Sequence, residues 1–330
     1  MKTIVKAYKF RLYPDAEQIN KINQTIGSAR FIYNKMLEDK ISHYEKYKQS
    51  LNNNTPAHYK EEYEFLKEVD SQALSQSHQD LNAAYRNFFR TEKGFPKFKK
   101  KGVKDTYRSC VINNNIRIEG EFLKLPKVGL VPIRMERQLP QGSKIKNVTI
   151  SKTKTNKYFA SIQFEIQKNI EQVEPEKFLG LDYSMSAFFV DSEGNKGNYP
   201  KFYRLSYENL VKEQRKLSKM KKGSNNYNKQ KFQIAKIHGK IANQRKDFLH
   251  KTSRKIANSY DVVCIESLNM KAISKIFKFG KSVYDNGWGM FVSMLEYKLA
   301  ELGKFIIKAD KFFPSTKKCS SCGEKQDIPL

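Results

Sequence analysis

Two acids in this chain stand where carboxylates are costly to place. Asp182 closes the apolar run Phe178-Leu-Gly-Leu, and Glu266 closes Val262-Val-Cys-Ile. Short apolar runs bounded by polar residues read as buried strands, so each acid is expected at a strand end. A carboxylate emerging from such a strand needs a partner or a cation. Two of them side by side would repel, and Mg²⁺ relieves that repulsion through oxygen ligation. On spacing alone, both acids could equally cap the turns or helices that follow. Asp191, Asp261, Asp285 and Asp310 lack the same combination or fall in turns. A second pair, Cys319 and Cys322, has the Cys-x-x-Cys spacing of a metal knuckle. Structural zinc takes four ligands, usually from two such knuckles, so these two alone form an incomplete zinc site without full occupancy. Cys110 and Cys264 lie beside apolar residues and read as core rather than as ligands.

Charge points to the partner. The 330 residues carry 62 Lys and Arg against 34 Asp and Glu, a formal net charge of +28. A hydrophobic share of 39% is enough for packed cores, so the excess does not signal disorder. Half of it lies between Lys201 and Lys255, where seventeen cations face Glu208, Glu213 and Asp247. Arg215, Lys219, Lys221, Lys222, Arg245, Lys246, Lys251 and Arg254 are the candidate phosphate contacts there. A shorter run, Arg90 to Lys104, holds Lys97, Lys99, Lys100 and Lys101 with Phe95, Phe98 and Tyr107 nearby to stack on bases. Acids that would make i,i+4 pairs are nearly absent, so the counter-charge must come from outside. Nucleic acid is the expected partner. No stretch has the roughly 18–20 apolar residues of a membrane helix, and Lys6 and Lys9 interrupt any signal-peptide core. A cytoplasmic, nucleoid-associated location follows as an expectation.

The elements that must position these residues change character along the chain. Thr3–Leu12 alternates as a strand, and Pro14-Asp15 opens a helix carrying Ile19, Ile22, Ile26, Ala29, Tyr33, Met36 and Tyr44. Ser71–Arg90 reads as a second helix. Short strands follow at Ile116/Ile118, Phe122–Leu125 and Val128–Val131, then a hairpin of Ile145–Ile150 and Tyr158–Ile166 around Thr155-Asn156. Beyond a charged stretch at Glu171–Lys177 the order becomes strand, strand, helices, strand, helix, strand. The two basic helices are expected at 206–222 and 225–259, and the last helix at Trp288–Leu302. That is an α/β layout.

Several ordered segments together resemble the transposon-encoded TnpB family of RNA-guided nucleases. They are Lys6-Ala-Tyr-Lys-Phe-Arg-Leu-Tyr-Pro14, Gly94-Phe-Pro-Lys-Phe-Lys-Lys100, Gly180-Leu-Asp-Tyr-Ser184, Val190-Asp-Ser-Glu-Gly194, Ile265-Glu-Ser-Leu-Asn-Met270 and Phe313-Pro-Ser-Thr-Lys-Lys-Cys-Ser-Ser-Cys-Gly323. The resemblance implies an α+β multidomain fold. Residues 1–14 and 105–175 would form a wedge β-barrel, and 15–104 a helical recognition insertion. Residues 176–330 would form an RNase H-like RuvC α/β domain ending in half a zinc ribbon at 313–323. It also implies guide RNA as cofactor and double-stranded DNA beside a short recognition motif as target. Asp182 and Glu266 map onto the first and second RuvC acids, with Mg²⁺ weakly held. The family's second Cys-x-x-Cys and third acid have no counterpart before Leu330, and Asp310 follows a different strand. The expectation is therefore a nuclease-dead, RNA-guided DNA-binding protein acting as a transcriptional repressor. The alternative is an active RNA-guided endonuclease in truncated form.

Overall fold

The computed structural model describes residues 2–52, 54–91, 93–139, 142–276, 280–310, 322 and 324. The chain divides into two compact units, residues 1–169 and 170–330.

The first unit is built on seven strands: β1 (Lys2–Leu12), β2 (Asp105–Cys110), β3 (Arg117–Glu119), β4 (Phe122–Leu125), β5 (Gly129–Arg134), β6 (Lys144–Lys152) and β7 (Tyr158–Lys168). They form one sheet in the order β2-β6-β7-β1-β5-β4-β3. β1 is paired with β7 along its whole length, from Lys2↔Lys168 to Leu12↔Tyr158. It reaches β5 only at its end, through Arg11↔Arg134 and Leu12↔Ile133. Sheet twist accumulates strand by strand, and the result is a curled half-barrel with β2 and β3 as its edges. The wedge β-barrel expected from sequence is observed as this half-barrel, an open curled sheet. Phe10, Leu12, Val131, Val148, Ile150, Ile162 and Phe164 fill its concave core.

One long helix serves two cores. α1 (Ala16–Tyr47) begins at Asp15, whose carboxylate accepts from the Gln18 amide at 2.8 Å while the Gln18 side chain accepts from the Asp15 amide at 3.2 Å. This reciprocal capping satisfies two of the helix's first free N–H groups. Ile22, Ile26 and Ala29 pack on the sheet. One and two turns later Ile32, Tyr33, Met36 and Leu37 pack instead on α2 (Tyr59–Glu62), a 3₁₀ turn (Glu64–Lys67) and α3 (Ser71–Arg90), through Tyr59, Leu66, Val69, Leu74 and Leu81. The stripe at i, i+3 and i+4 spacing runs through both.

The second unit holds β8 (Phe178–Ser184), β9 (Phe188–Asp191), β10 (Val262–Glu266) and β11 (Phe305–Ala309) in the order β11-β10-β8-β9. β8, β10 and β11 are parallel, and β9 is an antiparallel edge. Parallel neighbours need long crossovers. α4 (Phe202–Leu205), α5 (Tyr207–Ser218) and α6 (Asn225–Ser259) supply the first, and α7 (Met270–Ile276), α8 (Gly280–Asn286) and α9 (Trp288–Glu301) the second. The core collects Leu179, Leu181, Val263, Ile265, Phe291, Leu295 and Leu299. The first basic helix ends at Ser218 rather than 222. The chain then turns through Gly223 at φ +87°, so Lys219, Lys221 and Lys222 are presented by a loop. Gly303, at φ +71°, receives the Val173 amide, and a Cβ there would run into the Glu171 carbonyl. Only glycine fits that close approach.

Candidate carboxylate site and basic surfaces

Leu181 of β8 is the register partner of Ile265 of β10, so the next residues, Asp182 and Glu266, leave neighbouring strands at one level. Burial of Leu181 and Ile265 beneath them fixes that register. Asp182 also faces Val190 across the β8–β9 hairpin. Behind it, the Tyr183 ring lies 5.2 Å from Trp288, and its hydroxyl accepts from the Asn286 amide at 3.4 Å. Asp182 is exposed, but partial desolvation at the strand end pushes its carboxyl above its ordinary range, and the Glu266 charge pushes it further.

Other acids of this unit are used differently. Asp261 accepts from the Lys177 and Glu176 amides at 3.1 and 3.3 Å and pairs with Lys304 at 3.2 Å, which holds its carboxyl below the usual range. Asp191 caps its own turn by accepting from the Glu193 and Asn195 amides. Asp261 is stabilised as an anion by the fold, whereas Asp182 is raised by its neighbour Glu266. Two hard carboxylates at one level fit Mg²⁺, which binds proteins through one or two of them and keeps waters besides. Asp310 is exposed and follows Ala309, the partner of Glu266 on β11. Among the described residues no third His, Cys, Asp or Glu joins the pair in a metal-holding group. A cavity of about 610 Å³ opens beside Glu266, lined by Ser267, Asn269, Trp288, Ser293 and an ion pair of Glu296 with Lys308.

The basic candidates divide. Lys97, Lys100 and Lys101 are exposed. Lys99 is also exposed, its side chain 40% accessible, but its Nζ is engaged within the protein, 3.9 Å from the Tyr33 ring centre and 3.3 Å from Asp80. Its backbone is gripped by Asn34, whose amide donates to the Lys99 carbonyl at 2.9 Å and whose oxygen accepts from the Lys99 amide at 2.7 Å. Burial lowers the Lys99 pKa despite Asp80. Phe95 and Phe98 are exposed, but Tyr107 is buried in the sheet core and is not available for stacking. A cleft of about 480 Å³ lies here, lined by Arg30, Tyr33, Asp80, Lys99, Lys104 and Arg108. In the second unit Arg215, Lys219, Lys221, Lys222 and Lys246 are exposed. Lys251 pairs with Asp247 at 2.7 Å and Arg254 with Glu301 at 3.8 Å. Arg245 is turned inward to Asp285 at 3.3 Å. Neither Asn34 nor Asp285 carries a signal at the level of local spacing, because each partner is forty or more residues away. Cys319 lies outside the described residues. Cys322 is exposed, and Cys110 and Cys264 are half-buried thiols.

A curled sheet with a helical insertion, joined to an α/β unit with paired acids at parallel strand ends, describes a nucleic-acid enzyme scaffold of the RuvC kind. Comparison with known proteins agrees. Residues 161–276 match a family described as "Probable transposase", residues 1–49 a "Helix-turn-helix domain" and residues 288–328 the "Cas12f1-like, TNB domain". In the second of these matched segments the structure has one strand and one unbroken 32-residue helix rather than two helices. A Streptomyces pristinaespiralis protein assigned as an RNA-guided DNA endonuclease is 31% identical over the whole chain, which spans 84% of that protein. InsQ of Escherichia coli K12, with the same assignment, is 29% identical over 97% of the chain and 83% of its own length. The chain belongs to this family, the TnpB proteins. Its fold is similar to the protein of a Cas12f1–sgRNA–target DNA complex, with a TM-score of 0.57 at 14% identity, covering 98% of this chain and 92% of that one.

Proposed function

We propose that this protein is an RNA-guided DNA endonuclease in which Asp182 and Glu266 are two of the metal-binding acids. The carrying observation is their emergence at one level from adjacent parallel strands, with the Asp182 carboxyl raised by partial desolvation and by the Glu266 charge. The nuclease-dead repressor expected from sequence gives way to the cutting reading, because the matched relatives are assigned as endonucleases. In this reading residues 1–14 and 105–175 act as the wedge, 15–104 as the recognition insertion and 176–330 as the RuvC-like domain. Guide RNA lies on the basic surfaces by shape and phosphate contacts, and base pairing selects the DNA beside a short motif. Mg²⁺ bound by the two acids would polarise the scissile phosphate and supply a nucleophilic hydroxide. The chain's own part is to hold the acids at one level and the duplex against exposed lysines.

The test pairs a guide-programmed cleavage assay with a gel shift on the same DNA. Matched DNA should be bound and cut in Mg²⁺. Asp182→Ala should abolish cutting and leave binding within about threefold, because phosphate contacts and base pairing lie away from the acids. Binding without cutting by the unaltered protein would restore the repressor reading. Cutting that survives in Asp182→Ala would remove this residue from the reaction.

A further inference from the structure

The end of α3 carries an aromatic surface that the core takes up only at Tyr85, which is half-buried against it. The buried face of the helix runs from Ala73 to Leu81 and stops there. Beyond it Tyr85, Phe88 and Phe89 gather with Phe95 from the following segment. Phe88 packs edge-on to Phe89 at 5.0 Å and to Phe95 at 5.4 Å, and Tyr85 lies 5.7 Å from Phe95 and stacks on Phe89 at 6.3 Å. Phe89 is 76% exposed and Phe95 45%. Single exposed apolar side chains are ordinary, but a contiguous aromatic patch marks an interaction surface. Its neighbours in sequence, Arg86, Arg90, Lys93 and Lys97, are exposed and enter no ion pair among the described residues.

We infer that this patch is a stacking platform for unpaired nucleotides of the guide RNA. The inference rests on the function proposed above and adds a site to it. Cationic surroundings exclude a second copy of the same patch, since two such rims would repel. They suit a polyanion whose bases present flat apolar faces, and stacking on aromatic side chains beside cations is how single strands are held without sequence preference. Paired target DNA hides its base faces inside the duplex. A guide that travels with the protein keeps the patch covered throughout, whereas a displaced DNA strand covers it only briefly.

The experiment uses the full chain and a short single-stranded RNA containing 2-aminopurine, whose fluorescence falls when the base stacks. The unaltered protein should quench the probe. Phe89→Ala should weaken binding about tenfold, the order of one lost base stack, with the salt dependence unchanged, and Phe89→Trp should restore it. Phe89 is three-quarters exposed, so the alanine variant is expected to fold normally. Equal affinity of Phe89→Ala overturns the inference. So does equal or stronger quenching of a DNA probe of the same sequence, or a dimer that Phe89→Ala dissociates while RNA binding stays intact. If salt-dependent guide binding and DNA cutting persist when Phe89 proves neutral, only this inference fails. If the probe stacks as expected and guided cutting is absent, the proposed function fails instead.

Discussion

Arg245 and Lys246 are adjacent in sequence, and both read as phosphate contacts; the structure sends them to different tasks. Lys246 is exposed. The Arg245 guanidinium reaches the Oδ1 of Asp285 at 3.3 Å and the Tyr199 hydroxyl at 3.4 Å. Asp285 is 2% exposed, and the same Oδ1 accepts from the Tyr199 hydroxyl at 3.2 Å and the Tyr203 amide at 3.1 Å. Its Oδ2 is buried with no partner among the described residues. Removing one member of a buried pair costs about 3–5 kcal/mol, since it strands the other charge. Two neutral donors stay on Oδ1 after Arg245 is lost, and the pair distance exceeds the usual ~2.8 Å of a charge-assisted bond. Arg245→Met should therefore fall at or just below the low end, about 2–3 kcal/mol, read from urea unfolding.

Two controls separate this from a nucleic-acid role. Asp285→Asn removes the stranded charge, so the double variant should recover about 1.5–2 kcal/mol relative to additivity. The slope of log affinity against log salt should be unchanged in Arg245→Met, whereas Lys246→Ala should lower it by about 0.7–0.9 per lost phosphate contact. The reasoning is refuted if Arg245→Met unfolds at the same urea concentration as the unaltered protein and lowers the salt slope as Lys246→Ala does.

Lys99 repeats the contrast in the first unit: Lys99→Met should destabilise it by about 1–2 kcal/mol through the lost Tyr33 and Asp80 contacts and spare the salt slope, while Lys100→Ala should do the reverse. Lys298 supplies the pH dependence, because this buried lysine donates to the His250 carbonyl and the Ser253 hydroxyl, and burial lowers its pKa from 10.5 to about 8. Between those values the unfolded chain binds more protons than the folded one, so the stability of the unaltered protein rises with pH there. The gain from Lys298→Met should be largest below about pH 8 and shrink by about 2 kcal/mol between about pH 7.5 and 9.5. A flat difference in unfolding free energy across that range would show that the ammonium is not desolvated.

The sequence made the acids legible because their signal is local. An apolar run ending in a carboxylate is visible at Asp182 and Glu266 without knowing the neighbours, and so is the Asp15–Gln18 capping box. Their shared level was not legible, since it depends on Leu181 meeting Ile265 across eighty-odd residues of crossover. β2 escaped notice for a related reason. Its only large apolar residue is Tyr107, and its pairing with β6 is what makes it a strand. How far the barrel closes was not legible, because curvature belongs to the whole sheet. The fates of Lys99 and Arg245 turn on Asn34, Tyr33 and Asp285, each distant in sequence and unremarkable alone. Composition identifies the class of partner, and tertiary contacts decide which cations meet it.

The same division explains how so basic a chain folds. From Ile241 onward α6 buries Ile241, Leu249, Ser253, Ile256 and Ala257 in its unit, and that half is held by packing. The first half buries only Gln230, whose side chain donates to the Glu213 carbonyl of α5 at 2.9 Å. α5 in turn buries only Leu210. Helices of that length draw most of their stability from an apolar face, and here Val211, Leu217, Phe232, Ile234 and Ile237 are only half-buried while Lys229, Lys231, Lys236 and Lys240 are exposed. This arm is therefore held by partial apolar contacts and a polar tie, and opposed by its own charge. A bound polyanion removes the opposition and stabilises the folded form by mass action. The basic arm is thus the part of this unit that a bound polyanion would stabilise most, and the packed half of α6 is the part that would change least.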